Sequence, residues 1–126
     1  MNLLLDTHIF LWWLQDSKKL SISVKSKIAD ASNLIHLSSV SVWEMRIKQR
    51  LGKLDIPDNF RAIITSDDFI ALPLTHAHAE NVYSLENHHN DPFDRMLISQ
   101  AQVEELTLVT ADTKILRYDI KTLGNY

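Results

Sequence analysis

Four carboxylates stand where predicted strands end or predicted helices begin. Asp6 directly follows the first apolar run, and Glu44 lies in the first turn of the helix after the second strand. Asp94 lies in the first turn of a helix that Asp91 opens, and one residue separates Asp112 from the fourth strand. Gathered carboxylates repel one another and therefore favour a bound cation. Oxygen ligands suit Mg²⁺ or Mn²⁺, so the pattern predicts metal-dependent phosphodiester hydrolysis.

These acids converge only if the strands that precede them form one parallel sheet. Short β-type runs alternate with longer helical stretches, which is the pattern of an α/β domain with a central, mostly parallel sheet of four to five strands. Strands are predicted at 2–5, 34–37, 69–74 and 107–110, with an additional edge strand near 118–123. Helices are predicted at 8–15, 21–31, 42–51, 59–66, 75–86, 92–105 and 112–116. Pro73 places the third strand at a sheet edge, and Gly52 ends the third helix.

Ligands of a parallel sheet bind beyond the carboxyl ends of its strands. Asp6, Glu44 and Asp112 are placed at that edge by the strands before them. Asp94 also needs its helix to begin there. The four acids are therefore candidate ligands of one metal centre.

Each acid also has a structural explanation. Ser41 and Glu44 fit a capping box, in which the glutamate bonds back to the serine amide. Asp91 and Asp94 occupy the N-cap and N3 positions of their helix, and both positions favour a negative charge. Asp112 fits an N-cap and Asp6 a turn residue. Capping does not require the four acids to converge, so their convergence separates the two interpretations.

Length and composition limit the classes of protein that the chain can form. The 126 residues and 14.5 kDa predict a single domain over residues 1–126. A content of 45% apolar and 23% charged residues is typical of a globular protein and argues against disorder. With only two glycines, a phosphate-binding loop or a dinucleotide fingerprint cannot be built. The absence of cysteine excludes disulfides and cysteine-ligated metals.

The charge balance does not predict a general nucleic-acid binder. Thirteen basic and sixteen acidic side chains give a net charge of −3, so a polyanionic substrate needs local bases or metal ions. No apolar run reaches the roughly 18 residues of a membrane span. The amino terminus carries no basic leader. We therefore expect a cytoplasmic protein without membrane association.

Several segments along the chain resemble the PIN domain family, and more closely the VapC-type toxins of bacterial and archaeal toxin–antitoxin pairs. The resemblance spans the whole chain in the right order and rests on residues 4–8, 42–45 with Lys48, 52–54, 90–98 and 110–112. The Asp-Pro-Phe-Asp-Arg and Trp-Glu segments make it specific. It implies a three-layer fold and a ribonuclease that cuts RNA with Mg²⁺ or Mn²⁺, leaving a 5′-phosphate and a 3′-hydroxyl.

The resemblance also implies roles for individual residues. Asp6 and Asp94 match direct metal ligands, and Asp112 matches an acid that completes the metal shell. Glu44 matches an acid that binds a second ion or orients the attacking water, and Thr110 matches a residue that supports the site through its hydroxyl. Asp91 is interpreted mainly as a helix cap that supports the site.

Substrate contact requires basic side chains near the acids. Lys48 and Arg95 lie beside the motif acids and rank first as RNA phosphate contacts, followed by Arg46. The paired histidines at 76 and 78 and at 88 and 89 do not have zinc-site spacing, so we interpret them as surface or capping residues.

The leading hypothesis is a metal-dependent endoribonuclease that acts as a toxin, forms a homodimer and is neutralised by a cognate antitoxin protein. Aromatic side chains that cannot all be buried, Phe10, Trp12, Trp13 and Trp43, favour such protein contacts. The alternative is a non-catalytic PIN-like module whose acids bind a structural cation or a basic partner peptide. An aspartyl-phosphate phosphatase is not favoured, because His8 stands where that chemistry needs a second aspartate. The RNA that is cut stays open among transfer, ribosomal and messenger RNA.

Overall fold

All the strands of the protein lie in one parallel sheet, in the order β3-β2-β1-β4-β5. The computed structural model describes residues 1–126. The strands are β1 (Asn2–Leu5), β2 (Leu34–Ser38), β3 (Ile70–Leu72), β4 (Thr107–Thr110) and β5 (Thr122–Gly124). The helices are α1 (Thr7–Leu14), α2 (Ile22–Ala29), α3 (Ser39–Arg50), α4 (Phe60–Ile64), α5 (His76–Asn81) and α6 (Pro92–Val103). This architecture confirms the predicted α/β fold.

Strand β1 lies at the centre of the sheet. Leu4 pairs with His36 of β2 on one side and with Leu108 of β4 on the other. Leu3, Leu4 and Leu5 are completely buried, as expected for a parallel strand covered on both faces. Because all strands run the same way, their carboxyl ends meet at one edge of the sheet, and the residues that follow β1 and β4 are neighbours there.

Apolar side chains pack on both faces of the sheet, which gives three layers. Leu3 and Leu5 belong to the core cluster that contains Phe10 of α1. Leu4 points to the opposite face and belongs to the cluster that contains Leu97 of α6. Successive residues of a strand alternate between faces, so three leucines in a row supply both clusters. Complete burial of each leucine contributes about 1.5–3 kcal/mol.

Helix α3 begins three residues earlier than the sequence predicts. Ser38 is the N-cap, and its side-chain oxygen accepts a hydrogen bond of 3.0 Å from the Val40 backbone N–H. Ser41 is therefore buried inside the helix and cannot cap it. The predicted capping box between Ser41 and Glu44 is wrong. The carboxylate of Glu44 has partners from other segments instead, as described below.

The end of α3 follows the prediction. Gly52 lies directly after the C-cap residue Leu51 and has a φ of 73°, a left-handed conformation that favours glycine. The predicted edge positions of the third strand and of the carboxyl-terminal strand are also confirmed, since β3 and β5 lie at the two edges. Pro73 follows β3 directly, where its missing N–H costs the sheet no hydrogen bond.

Two predicted helices are shorter than expected. The helix that Thr75 caps ends at Asn81 and continues only as a 3₁₀ turn over Val82–Ser84. The predicted helix at 112–116 is a 3₁₀ turn over Ile115–Arg117. None of the helices combines the length and the apolar character that a bilayer crossing requires.

Candidate metal centre

Asp6 ends the central strand and begins the first helix. Its Oδ1 accepts a hydrogen bond of 2.9 Å from the Ile9 backbone N–H, which makes it the N-cap of α1. Its Oδ2 accepts a hydrogen bond from the Thr110 hydroxyl at the end of β4. The residue is only 4% exposed. Burial raises the pKa of Asp6, although the bonds from Thr110 and Ile9 and the nearby His8 oppose that rise.

Thr110 links the two strands that carry Asp6 and Asp112. Its hydroxyl donates to Asp6 and accepts a hydrogen bond of 3.0 Å from the backbone N–H of Asp112. Thr110 is completely buried. The hydroxyl therefore orients one acid and fixes the backbone of another, as the resemblance implied for a supporting residue.

Glu44 projects from α3 and is 2% exposed. Its Oε1 accepts a hydrogen bond of 2.7 Å from the Thr7 hydroxyl, and its Oε2 lies 2.5 Å from Nζ of Lys48. Partial burial alone would lower the pKa of Lys48, but the hydrogen bond to Glu44 and the charges of Glu44, Asp91 and Asp94 outweigh it and raise the pKa. Lys48 is thus a protonated ammonium among the acids.

Asp94 lies in the first turn of α6, and Asp91 is the N-cap of that helix. Oδ1 of Asp91 accepts hydrogen bonds from the backbone N–H groups of Phe93 at 2.8 Å and of Asp94 at 3.3 Å. Burial, together with the charges of Asp91 and Asp6, raises the pKa of Asp94 to about 7. Its neighbour Asp91 therefore acts as the cap that the sequence predicted, and its charge makes Asp94 harder to ionise.

Asp112 follows β4 and ionises more easily than an ordinary aspartate. Burial alone would raise its pKa, but the hydrogen bond from His89 and the bond from the Lys114 backbone N–H outweigh it, so that the pKa is lowered. Nε2 of His89 lies 2.8 Å from Oδ2 of Asp112, and the Lys114 N–H lies 2.8 Å from Oδ1.

His89 is the site residue that sequence reasoning missed. The residue was interpreted as a surface or capping histidine, yet its ring is only 10% exposed and its Nε2 also lies 3.0 Å from Oδ2 of Asp94. Ligand atoms of His89, Asp94 and Asp112 all lie within 4.8 Å of one another. The available signal was its position two residues before the N-cap Asp91, because the segment that enters a helix N-terminus must run past that end of the helix.

The structure thus brings the four predicted acids to one edge of the sheet. Thr110 joins Asp6 to Asp112, and His89 joins Asp112 to Asp94. The charge of Glu44 reaches Asp94 and raises its pKa further. A cleft of about 250 Å³ opens at two of these acids, and its lining includes Asp6, Asp112, His8 and Trp12.

Of the predicted RNA contacts, only Lys48 lies directly against a motif acid. Arg46 stacks over the Phe60 ring with its guanidinium carbon 4.6 Å from the ring centroid. Arg95 donates to the backbone carbonyls of Glu86 at 3.0 Å and of His89 at 3.3 Å, and it therefore ties the preceding loop to α6. RNA contact by Arg46 and Arg95 stays a prediction, and both side chains have structural partners.

The donor set fits a hard divalent cation. Carboxylate oxygens dominate the cluster, and the carboxyl groups of Asp6 and Asp94 have raised pKa values. Mg²⁺ and Mn²⁺ prefer oxygen ligands and supply a counter-charge. Asp6, Asp94 and Asp112 are the residues whose carboxylates are available to such an ion.

Fold and site together define an α/β protein with an acidic centre at the carboxyl edge of a parallel sheet. The sequence model of the PIN domain family matches residues 3–121. The chain therefore belongs to the PIN domain family.

Solved structures with the same fold include two VapBC structures and one endonuclease. VapBC2 from Rickettsia felis, solved with a DNA fragment from the promoter, is 16% identical to this chain. The alignment covers 98% of each of the two chains and has a TM-score of 0.72. VapBC-1 from nontypeable Haemophilus influenzae is 17% identical, and its alignment covers 98% of each chain with a TM-score of 0.68. The PIN domain endonuclease Utp24 is 13% identical over 91% of this chain and 74% of its own, with a TM-score of 0.52. No curated protein matches the sequence significantly. At these identities the likeness shows the fold alone.

Proposed function

We propose that this protein is a metal-dependent endoribonuclease, formed by a single domain over residues 1–126, that hydrolyses RNA phosphodiester bonds. The observation that carries the proposal is the convergence of acids from four elements at one sheet edge: Thr110 and His89 connect Asp6, Asp112 and Asp94, and the charge of Glu44 acts on Asp94. Helix capping explains Asp6 and Asp91 individually, but it does not explain why Asp94 is placed among other acids at the cost of a raised pKa. Accommodation of a cation explains that placement.

In this function Asp6, Asp94 and Asp112 would hold Mg²⁺ or Mn²⁺. A bound ion would supply positive charge for the scissile phosphate and would lower the pKa of an attacking water. Thr110 keeps the Asp6 carboxylate oriented. Glu44, held by Thr7 and Lys48, accepts a hydrogen bond from the attacking water or binds a second ion. Lys48, whose side chain is 31% exposed, contacts a phosphate oxygen with its ammonium group.

The decisive experiment is cleavage of a mixed RNA pool with Mg²⁺, with EDTA, and with the Asp6→Asn and Asp94→Asn proteins. We expect cleavage only with the metal, and a loss of at least about 100-fold in each variant, because either change removes a ligand charge. Asp67→Asn is the matched control, since Asp67 is an exposed aspartate outside the cluster. A folded wild-type protein that binds metal but cuts no RNA would support the non-catalytic module instead.

We further propose that the protein acts in the cytoplasm as the toxin of a toxin–antitoxin pair and forms a homodimer. The solved structures with this fold include a toxin–antitoxin complex from Klebsiella pneumoniae, with a TM-score of 0.66. The surface also has an apolar groove of about 380 Å³, lined by Leu37, Val42, Trp43, Ile64 and Ala71 among others. Trp43 is 58% exposed there, and a large exposed apolar side chain favours a protein contact.

The toxin role is tested by co-expression with any small reading frame that adjoins the gene. We expect the neighbour's product to bind the protein and to abolish RNA cleavage. Light scattering of the isolated protein tests the homodimer. RNA cleavage that persists at a saturating concentration of the partner protein would contradict the toxin role and leave the nuclease proposal intact.

A further inference from the structure

His89 contacts two of the acids with one nitrogen and the backbone with the other. Its Nε2 lies 2.8 Å from Oδ2 of Asp112 and 3.0 Å from Oδ2 of Asp94. Its Nδ1 accepts a hydrogen bond of 3.1 Å from the backbone N–H of Asp91. The ring is nearly buried, so both nitrogens have protein partners.

The backbone contact determines where the ring carries its proton. A neutral imidazole has one N–H and one nitrogen lone pair. The Asp91 N–H points at Nδ1 and needs the lone pair there, so the proton lies on Nε2 and is directed at the carboxylates. A protonated nitrogen has no lone pair to offer a metal. Metal-ligating histidines show the opposite arrangement, since their second ring nitrogen donates a hydrogen bond.

The side chains of Tyr118 and Arg95 hold the loop that carries His89. The backbone N–H groups of His88 and His89 both donate to the Tyr118 hydroxyl, at 3.1 and 3.0 Å. The carbonyl of His89 accepts from Arg95 at 3.3 Å, and Arg95 in turn donates to Tyr118 at 3.1 Å. Backbone and ring are therefore both constrained, and the Nε2–H is held at one point between the carboxylates.

We propose that His89 is a positioning residue of the metal centre: its Nε2–H holds the Asp94 and Asp112 carboxylates at one point, while the ligands themselves are oxygens. The inference rests on the proposed function, because it concerns the same metal centre. Asp94 comes from a helix and Asp112 from a loop after β4, and no shorter connection between these two carboxylates is present. Without the N–H, their mutual repulsion separates them.

The test is metal binding rather than activity. Titration calorimetry with Mn²⁺, and competition with Mg²⁺, should show that His89→Ala lowers the affinity for both ions by a similar factor, about 10-fold or more. His89→Gln supplies an amide N–H in the same direction and should restore most of the affinity. His88→Ala is the matched control, because His88 contacts the exposed Glu86 and no acid of the centre. Thermal melting establishes that each variant is folded.

Pulsed electron paramagnetic resonance of the Mn²⁺-loaded wild-type protein separates positioning from ligation. If His89 only positions the acids, the spectrum shows no ¹⁴N coupling of the kind that an imidazole bound directly to Mn²⁺ produces. Coupling that is present in the wild type and lost in His89→Ala makes His89 a ligand and overturns the inference. Equal Mn²⁺ affinity of the wild-type and His89→Ala proteins also overturns it, as does a folded His89→Gln that binds no better than alanine. A wild-type protein that binds neither ion contradicts the proposed function itself.

Discussion

Each acid of the centre ionises according to the partners that its own oxygens have. Asp112 receives hydrogen bonds on both oxygens and has a lowered pKa. Asp94 is half-buried beside other acids, so that its pKa rises to about 7. Asp6 has two donors, but almost complete burial outweighs them and raises its pKa. At the residue scale, Asp6 and Asp94 are therefore harder to ionise than an ordinary aspartate and Asp112 is easier, and a nearby cation would favour the ionised forms of all three.

Replacement of Asp94 by asparagine should remove the free-energy cost of ionising this carboxyl group in the folded protein. The folded protein keeps a proton on Asp94 up to about pH 7, whereas the unfolded chain releases it near 3.8. The native state therefore binds more protons between these values, and the stability from Asp94 is lost as the pH rises through 7. In EDTA, the stability advantage of Asp94→Asn should grow from pH 5 to pH 8 and reach roughly 2–4 kcal/mol. Urea denaturation at both pH values measures it, and a difference that does not change with pH would contradict the assignment.

The Thr110 hydroxyl should be essential because it serves two polar groups in a buried place. Thr110→Val keeps the shape of the side chain but removes the donor to Asp6 and the acceptor of the Asp112 N–H. We expect a loss of about 1–3 kcal/mol in the free energy of unfolding, since buried polar groups lose their partners. Thr110→Ser retains the hydroxyl and is the control. A valine variant as stable as the serine variant would show that the hydroxyl contributes nothing.

At the scale of elements, helix N-termini place acids at the edge where the strands end. Asp6 caps α1 directly after β1, and Asp91 caps α6 three residues before Asp94. Aspartate at these positions satisfies backbone N–H groups and complements the positive end of the helix. One sequence feature thus serves both helix stability and the accumulation of negative charge. The structural and functional interpretations of these acids are compatible.

Asp91→Ala tests the cap of α6. The substitution leaves the N–H groups of Phe93 and Asp94 without their acceptor and should destabilise the protein by about 1 kcal/mol. Asp91→Asn retains a side-chain oxygen and should be much less destabilising, while it removes the charge that disfavours ionisation of Asp94. Thermal unfolding of both variants gives the comparison. Equal loss in both would assign the effect of Asp91 to its charge rather than to capping.

At the scale of the whole molecule, the carboxyl-terminal segment supports the centre from a distance. Tyr118 belongs to the connection between β4 and β5 and is 7% exposed. Its hydroxyl accepts from the backbone N–H groups of His88 and His89 and from Arg95. The last elements of the chain therefore hold the loop that directs the His89 ring at Asp94 and Asp112.

Tyr118→Phe should loosen this loop and leave the sheet intact. The phenyl ring retains the edge-to-face contact with His88, whose ring centroid lies 5.1 Å away, but the two backbone donors lose their acceptor. We expect amide hydrogen exchange at His88 and His89 to accelerate roughly 5–30-fold, which corresponds to about 1–2 kcal/mol. Tyr83→Phe is the control, since Tyr83 is 95% exposed. Unchanged exchange at both amides would show that other contacts hold the loop.

The local sequence predicts those parts of the fold in which neighbouring residues favour one conformation over the others. The apolar run before Asp6 favours a buried strand, and Asp91 followed by a proline favours a helix start. The start of α3 was predicted wrongly, because Ser38, Ser39 and Ser41 are all good caps locally. Tertiary contacts decide among them: the hydroxyl groups of Ser41 and Thr7 are hydrogen-bonded at 3.0 Å in the interior, and Ser38 remains to cap.

By itself, the sequence determined the order of the elements and the position of each acid at the end of a strand or the start of a helix, because both follow from neighbours within a few residues. Only the tertiary structure decided which of those acids are hard to ionise, that Arg95 ties a loop, and that His89 lies between Asp94 and Asp112. These properties depend on contacts and burial that involve residues far apart along the chain. Local periodicity and capping signals contain no information about such contacts.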